Sequence, residues 1–359
     1  MTKSVLVGMS GGVDSSVAAA LLVEAGYRVC GAYMKNWTLD VPGSRCPWAD
    51  DLADAKRTAV RLGIDFRVYD FQQAYKREVV DYLVEGYRSG RTPNPDVMCN
   101  QEVKFGLFLD AALADGFDFI ATGHYARAVD VPVEGSAGSR RLLLRAADAR
   151  KDQTYFLYRM SQRALDRTLL PLGDMEKPTV RKLAADRGLL TAEKADSQGI
   201  CFVGEAGIRE FLSMYVDRVP GPIVDVDTGK TVGSHEGAIF FTLGQRHGLG
   251  AGGGAPRYVV DKDMDRNIVF VSADRRASRL EDDALCMEDA SWISGQSPRS
   301  GDYLVRMRHG GELVPASVDI DERKATAAVH LSHPCRAVAS GQSVVVYQGQ
   351  VCLGGGIAV

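Results

Sequence analysis

A chain of 359 residues is longer than one hydrophobic core usually serves, so two or three domains are expected. With 45% hydrophobic and 25% charged residues it has the composition of an ordinary soluble globular protein, no stretch approaches the ~20 apolar residues that span a membrane, and the N-terminus lacks a signal-peptide pattern, which together predict a cytoplasmic location. A net charge of -3 excludes a uniformly basic nucleic-acid binder, though not a local basic patch.

The chain opens with an apolar strand, Val5 to Met9, turned into a helix, Ser15 to Glu24, through Ser10-Gly11-Gly12-Val13-Asp14. Glycines that release backbone N–H groups, hydroxyls at Ser15 and Ser16, and the positive end of the following helix converge on one spot, which makes an anion cradle. It is not the G-x-x-x-x-G-K-[ST] loop, since no lysine lies within it. Asp14 would repel phosphate directly, so it implies either a bridging Mg²⁺ or a brace for the loop.

Gly26 is expected to close the first helix, and Tyr27 to Met34 to form a second strand ending near the loop, where Met34 meets a nucleotide base. A helix at 49–62, a strand at 64–71 and a helix at 74–88 continue the alternation that signals a parallel sheet. The stretch Thr92-Pro93-Asn94-Pro95-Asp96-Val97-Met98-Cys99-Asn100 interrupts it as a proline-stiffened loop carrying an acid and a thiol. A helix starting near Gln101 would place Cys99 just before its N-terminus, where thiolate is favoured; a buried, inert cysteine is the alternative. The strand 118–122 then delivers Gly123 and His124 to the same sheet edge, Gly123 permitting close approach of a nucleotide.

Residues 125–147 read as a hairpin. Between Arg140 and Arg167 eight basic residues stand against three acids, and the run meets amide and aromatic groups at Lys151-Asp152-Gln153-Thr154-Tyr155-Phe156, a mixture suited to RNA. A helix follows Pro178, and the loop Asp196-Ser197-Gln198-Gly199-Ile200-Cys201-Phe202 carries a second thiol 102 residues beyond Cys99. From about residue 208 the sequence turns β-prone: a short helix at 208–215, a turn at Asp227 to Lys230, a glycine-rich loop at 242–250, and alternating segments at 303–307, 316–319, 327–331 and 343–347 that suggest a small antiparallel barrel. Asp261 to Asp265 begins like a calcium loop but lacks its glycine and glutamate. The seven cysteines are scattered without C-x-x-C or a histidine at zinc spacing, so neither a disulfide framework nor a structural zinc site is expected. Arg306, Arg308 and His309 extend a basic surface.

The order of these motifs, with Ala121-Thr122-Gly123-His124-Tyr125, Leu243-Gly244-Gln245-Arg246 and the terminal Cys352-Leu353-Gly354-Gly355-Gly356, resembles the bacterial tRNA-specific 2-thiouridylases of the MnmA type over essentially the whole chain. The resemblance implies an α/β fold: a doubly wound parallel sheet of the PP-loop ATP pyrophosphatase type at 1–207, a small β-rich central domain at 208–275 and a C-terminal antiparallel β-barrel at 276–359 that contacts tRNA. It implies ATP and Mg²⁺, with the nucleotide on Gly8, Met9, Ser10, Gly11, Gly12, Val13, Asp14, Ser15, Met34 and Gly123. It further implies adenylation of the wobble uridine C2 oxygen and sulfur transfer from a Cys201 persulfide, with Cys99 as partner thiol and Asp96 as acid-base group. Asn94, Pro95 and Asp96 would meet the extruded uridine, and His124, Lys151, Asp152, Gln153, Arg306, Met307 and Gln342 the tRNA; Met307 stands where the family commonly has tyrosine. The implied partners are the tRNAs for Glu, Gln and Lys and a sulfur-donor protein. Two other readings are an ATP pyrophosphatase that adenylates a small molecule, which would need neither thiols nor barrels, and a non-catalytic tRNA binder.

Overall fold

The computed structural model describes residues 2–41, 46–132, 138–196, 207–246, 248–249, 256–274 and 281–359, with only the backbone at 281. Strands β1 (Ser4–Gly8), β2 (Arg28–Lys35), β3 (Asp65–Asp70) and β4 (Phe119–Ala121) form a parallel sheet. A hairpin, β5 (Ala126–Pro132) and β6 (Ser139–Arg145), precedes the short strand β7 (Thr168–Leu169), which completes that sheet in the order β3-β2-β1-β4-β7. Every residue of β1 is buried, as expected of a central parallel strand covered on both faces. Helix α1 (Val13–Glu24) is alanine-rich and buried along most of its length, and it lies between the sheet and the helix Lys177–Asp186. The strand order reverses between β1 and β4, so the loops after these two strands meet at the sheet's carboxyl edge, where open α/β sheets bind ligands.

The predicted strands and helices of this region appear within two or three residues of their expected limits, with one consequential exception. The helix expected from about Gln101 begins at Pro95 and runs to Ala114, its centre, Cys99–Leu107, wound as a π-helix. Pro95 opens the helix because a missing N–H costs nothing there, and Asn94 caps it by accepting from the Asp96 N–H at 3.1 Å. Cys99 is therefore a full turn inside a helix and not at an exposed N-terminus, which removes the reason for expecting a helix end to favour its thiolate.

Four strands, β8 (Gly221–Asp225), β9 (Thr231–His235), β10 (Tyr258–Asp263) and β11 (Ile268–Ser272), make the central sheet. The last six, β12 (Glu281–Trp292), β13 (Gly301–Arg306), β14 (Val314–Asp321), β15 (Thr326–Arg336), β16 (Ser343–Gln348) and β17 (Val351–Ala358), close into a barrel through pairing of β12 with both β15 and β17. The hairpin β5–β6 extends this barrel's sheet through β17, an arrangement the sequence does not announce.

Both β units share cores with the first domain. Phe211, Ile223, Val259 and Val271 pack with Tyr75, Val79, Leu83 and Cys99. Val345, Tyr347 and Cys352 pack with Phe105, Phe108, Tyr155 and Tyr158. The barrel also docks by hydrogen bonds: the Thr92 N–H donates to the Ser340 carbonyl at 2.7 Å, the Tyr155 hydroxyl to the Ser343 carbonyl at 3.1 Å, and the Gln342 amide to the Thr92 carbonyl. These bonds tie the barrel to both ends of the region around Asp96.

Candidate active site

A cleft of about 600 Å³ opens where the loops after β1 and β4 meet the start of the Pro95–Ala114 helix. Among the residues expected from sequence, Ser10, Gly12, Val13, Asp14, Asp96, His124, Lys151 and Gln153 line it. Asp51, Asn100, Lys104, Tyr125, Arg150, Phe156, Lys194, Asp196 and His309 line it as well. Of these Asn100, Tyr125, Arg150, Phe156, Asp196 and His309 lie in stretches already singled out, and Lys194 opens the loop that carries Asp196, whereas nothing local marks Asp51 or Lys104, which only the fold brings to the cleft.

The loop after β1 is held from behind. Gly11 has φ of +77°, and a Cβ there would lie 2.3 Å from the Asp51 carbonyl oxygen, so only glycine fits. The Ser15 and Ser16 hydroxyls donate to the Gly12 carbonyl at 3.2 and 2.8 Å, and Ser15 Oγ accepts from the Ser10 N–H at 3.1 Å. These hydroxyls brace the loop, so the outward donors are backbone N–H groups at the start of α1. Gly123 is half-buried and packs against the loop after β1. A Cβ there would lie 2.7 Å from both the Asp14 carbonyl carbon and the Ser15 nitrogen, so the close approach that glycine permits is that of the loop itself. Met34 is half-buried against Gly8, whose Cβ would sit 3.0 Å from the Met34 methyl.

Asp14 is braced by a lysine that sequence reading passes over. The Lys177 ammonium, buried at 8% exposure, lies 2.7 and 2.8 Å from the two Asp14 carboxylate oxygens and 2.8 Å from Asp196 Oδ1. The Tyr125 hydroxyl donates to Asp14 Oδ1 at 2.8 Å, and burial beside that carboxylate pushes the phenol's pKa far up. Asp196 also receives Lys151 at 2.7 Å and Arg181 at 2.6 Å. Burial would raise its pKa, but the hydrogen bonds and charges of Lys151 and Lys177 outweigh it and hold the carboxyl at about 2. Of the two roles open to Asp14, the described side chains display the brace.

Asp96 sits in the opposite environment. Burial raises its pKa, and the nearby Lys104 charge only partly opposes this, so its acid form is favoured relative to an ordinary aspartate. Cys99 is buried at 4% exposure. Burial and Lys104 hold His124 well below the usual histidine range, so its ring is neutral; Nδ1 lies 2.8 Å from the Thr122 hydroxyl. His309, from the turn after β13, lies against Phe156 with ring centroids 4.5 Å apart and planes tilted by 36°, and partial burial together with Arg306 lowers its pKa too. Cys201, with the rest of 197–206, lies outside the described residues.

Three expected tRNA contacts need correction. Asp152 and Arg306 are buried at 2% and 4% exposure and face each other at 2.6 Å, and Asp152 also accepts from the Thr154 hydroxyl and the Ala146 N–H. Met307 is buried in the barrel core. The Asp152–Arg306 pair joins the barrel to the first domain, and an interior ion pair cannot serve as a surface for phosphates. Four of the eight residues of the basic run form ion pairs nearer the surface, Arg141 with Asp130, Lys151 with Asp196, Arg159 with Asp289 and Arg163 with Asp110. Away from the cleft, Glu312, His333 and Cys335 place ligand-type atoms within 4.8 Å of one another.

A parallel sheet of order β3-β2-β1-β4-β7 with a braced, glycine-containing anion loop at its switch point defines a nucleotide-binding domain of the PP-loop ATP pyrophosphatase class, here followed by two β units. Family models agree: residues 3–205 match one described as tRNA methyl transferase HUP domain, 209–273 a tRNA methyl transferase PRC-barrel domain and 282–358 an aminomethyltransferase beta-barrel domain. The chain is 46% identical to the tRNA-specific 2-thiouridylase MnmA of Methylobacillus flagellatus over 99% of both chains, and 46% identical to that of Serratia proteamaculans over 99% of this chain and 96% of the relative. It belongs to the MnmA family of tRNA-specific 2-thiouridylases. A 4-thiouridine synthetase–RNA complex with bound ATP aligns at 15% identity and a TM-score of 0.35 over 59% of this chain and 50% of that one, a likeness too slight to argue from. No helix among the described residues is long and apolar enough to cross a membrane.

Proposed function

We propose that this chain replaces the C2 oxygen of the wobble uridine in tRNA by sulfur at the expense of ATP, with the tRNAs for Glu, Gln and Lys as substrates. The observation that carries the reading is the single cleft lined by both the anion loop, Ser10 to Asp14, and the Asp96–Asn100 turn of helix, in a chain 46% identical to a 2-thiouridylase along its whole length.

The cleft suits a nucleotide triphosphate. Ser10, Gly12 and Val13 present the N-terminus of α1, and Lys104, Arg150, Lys151 and Lys194 supply positive charge around it. Bound ATP supplies the activating group: the uridine oxygen displaces pyrophosphate from the α-phosphorus and becomes a good leaving group as AMP. The carboxylates of Asp14, Asp51 and Asp196 each carry a lysine within 2.8 Å. Mg²⁺ in this cleft is therefore best matched to the phosphates and water, with protein carboxylates contributing only if a lysine yields.

Sulfur arrives from a donor protein as a persulfide on Cys201. The Cys99 thiolate attacks the Cys201 sulfur, forming a Cys99–Cys201 disulfide and releasing the terminal sulfur as hydrosulfide to attack C2. AMP leaves with the uridine oxygen, and an external dithiol reopens the disulfide. Asp96, its acid form favoured by burial, handles the proton at the thiol or at the uridine. Phe156 and His309 offer ring faces against which an unstacked base can lie.

Unmodified tRNA incubated with the protein, ATP, Mg²⁺ and a cysteine desulfurase with cysteine as the persulfide donor, then digested and analysed by mass spectrometry, tests this. Sulfur gain at the wobble uridine in wild type and none in Cys201→Ser supports the reading. ATP cleavage to AMP with no dependence on tRNA would replace it with small-molecule adenylation.

A further inference from the structure

Asn100 is 3% exposed, yet it lines the cleft. Its amide nitrogen donates to the Phe156 carbonyl at 2.9 Å, which fixes which end of the amide is which. The other end, Oδ1, is buried and accepts no hydrogen bond from any described group. A buried acceptor left unpaired is costly, and native structures keep such groups where a ligand completes them. Its place on the π-helical segment Cys99–Leu107 adds to this, since π turns recur at binding sites.

The neighbours of that oxygen define what completes it. Phe156, whose carbonyl anchors the Asn100 amide, lies against His309 with ring centroids 4.5 Å apart, and all three residues line the one cleft, so a base held against these rings lies beside Asn100. The missing partner is a donor. Uracil carries a hydrogen at N3, whereas cytosine presents a lone pair there, which would face the Asn100 oxygen acceptor to acceptor.

We infer that Asn100 Oδ1 accepts the N3–H of the target base and makes the site selective for uridine over cytidine. This rests on the reading of the cleft as a uridine thiolation site. Asn100 is a specificity residue: it leaves the C2 oxygen free to react and the thiol chemistry to Asp96 and the cysteines. Cytidine has the same C2 oxygen, so nothing in the chemistry alone excludes it, and the site must do so by recognition.

The test compares transcripts carrying uridine, cytidine or N3-methyluridine at the wobble position, with wild type, Asn100→Ala and Asn100→Leu. Thiolation kcat/KM and binding of the matching anticodon stem-loops are both measured. The expected result is that wild type strongly prefers uridine, and that the variants lose about ten- to hundredfold on uridine with cytidine unchanged, so the preference narrows. A merely structural Asn100 would lower uridine and cytidine together, and that outcome overturns the inference. So does equal handling of uridine and N3-methyluridine by wild type, an arm that needs no variant to fold. If no transcript gains sulfur but stem-loop binding shows the Asn100-dependent preference, the thiolation reading falls and base recognition stands. Absence of both overturns both.

Discussion

The Lys177 ammonium lies 2.7 and 2.8 Å from the two oxygens of Asp14, so the one carboxylate in the anion loop is neutralised by a lysine 163 residues away. This contact sets the loop's electrostatics. With Asp14 countered, the N-terminus of α1 faces the cleft without a bare negative charge beside it.

Replacing Lys177 by Met is therefore predicted to act on nucleotide binding first. Asp14 and Asp196 would share a partly buried site with one cation fewer, at a cost of about 1–3 kcal/mol in stability. ATP affinity should fall by at least about tenfold through phosphate–carboxylate repulsion. Lys177→Arg should recover part of it. Calorimetric ATP titration and thermal unfolding read the two effects, and unchanged ATP affinity in Lys177→Met would refute the account.

Gly11→Ala is predicted to damage the loop more than the fold. The residue needs φ of +77°, and the new methyl would meet the Asp51 carbonyl at 2.3 Å, so backbone must move. A penalty of about 1–3 kcal/mol is expected. Loss of ATP binding with the rest of the domain still folded, judged by circular dichroism and titration, is the expected pattern.

Arg306→Ala should lower stability and leave the salt dependence of tRNA binding unchanged. Asp152, buried at 2% exposure, would keep only Arg145, 3.5 Å away, as a cation, and stranding a buried charge costs about 3–5 kcal/mol. If Arg306 instead held a phosphate, the slope of log affinity against log salt would drop by about one. Denaturant unfolding and filter binding at several salt concentrations separate the two.

Two groups make stability depend on pH in opposite ranges. Asp196 is held at about 2 against an ordinary 3.8, so the unfolded chain binds more protons between these values. Its contribution is complete above roughly pH 4 and is lost as pH falls toward 2, and Asp196→Asn should flatten that part of the acid unfolding profile. Lys262 is pushed down to about 8 by burial, its ammonium donating to the Phe241 carbonyl at 3.0 Å. The unfolded chain binds the extra proton between about pH 8 and 10.5, so stability should rise across that window, and Lys262→Met should abolish the rise.

Alternation of apolar strands and helices, together with glycines and prolines at their ends, made most of the first domain legible from sequence, because parallel sheets impose a local period. The anion loop was legible for the same reason: its chemistry is contiguous, from Ser10 to Asp14. What the sequence could not determine was the destination of long side chains. Asp152 and Arg306 were expected at tRNA through the family resemblance, yet, 154 positions apart in the chain, they pair in the interior. Lys177, which no local pattern marks, is the counter-ion of the loop. Tertiary structure also decided that the hairpin β5–β6 joins the barrel and that Asn100 keeps an unpaired oxygen in the cleft. Periodicity is a property of neighbours in the chain, whereas ion pairing and the satisfaction of buried polar groups depend on neighbours in space.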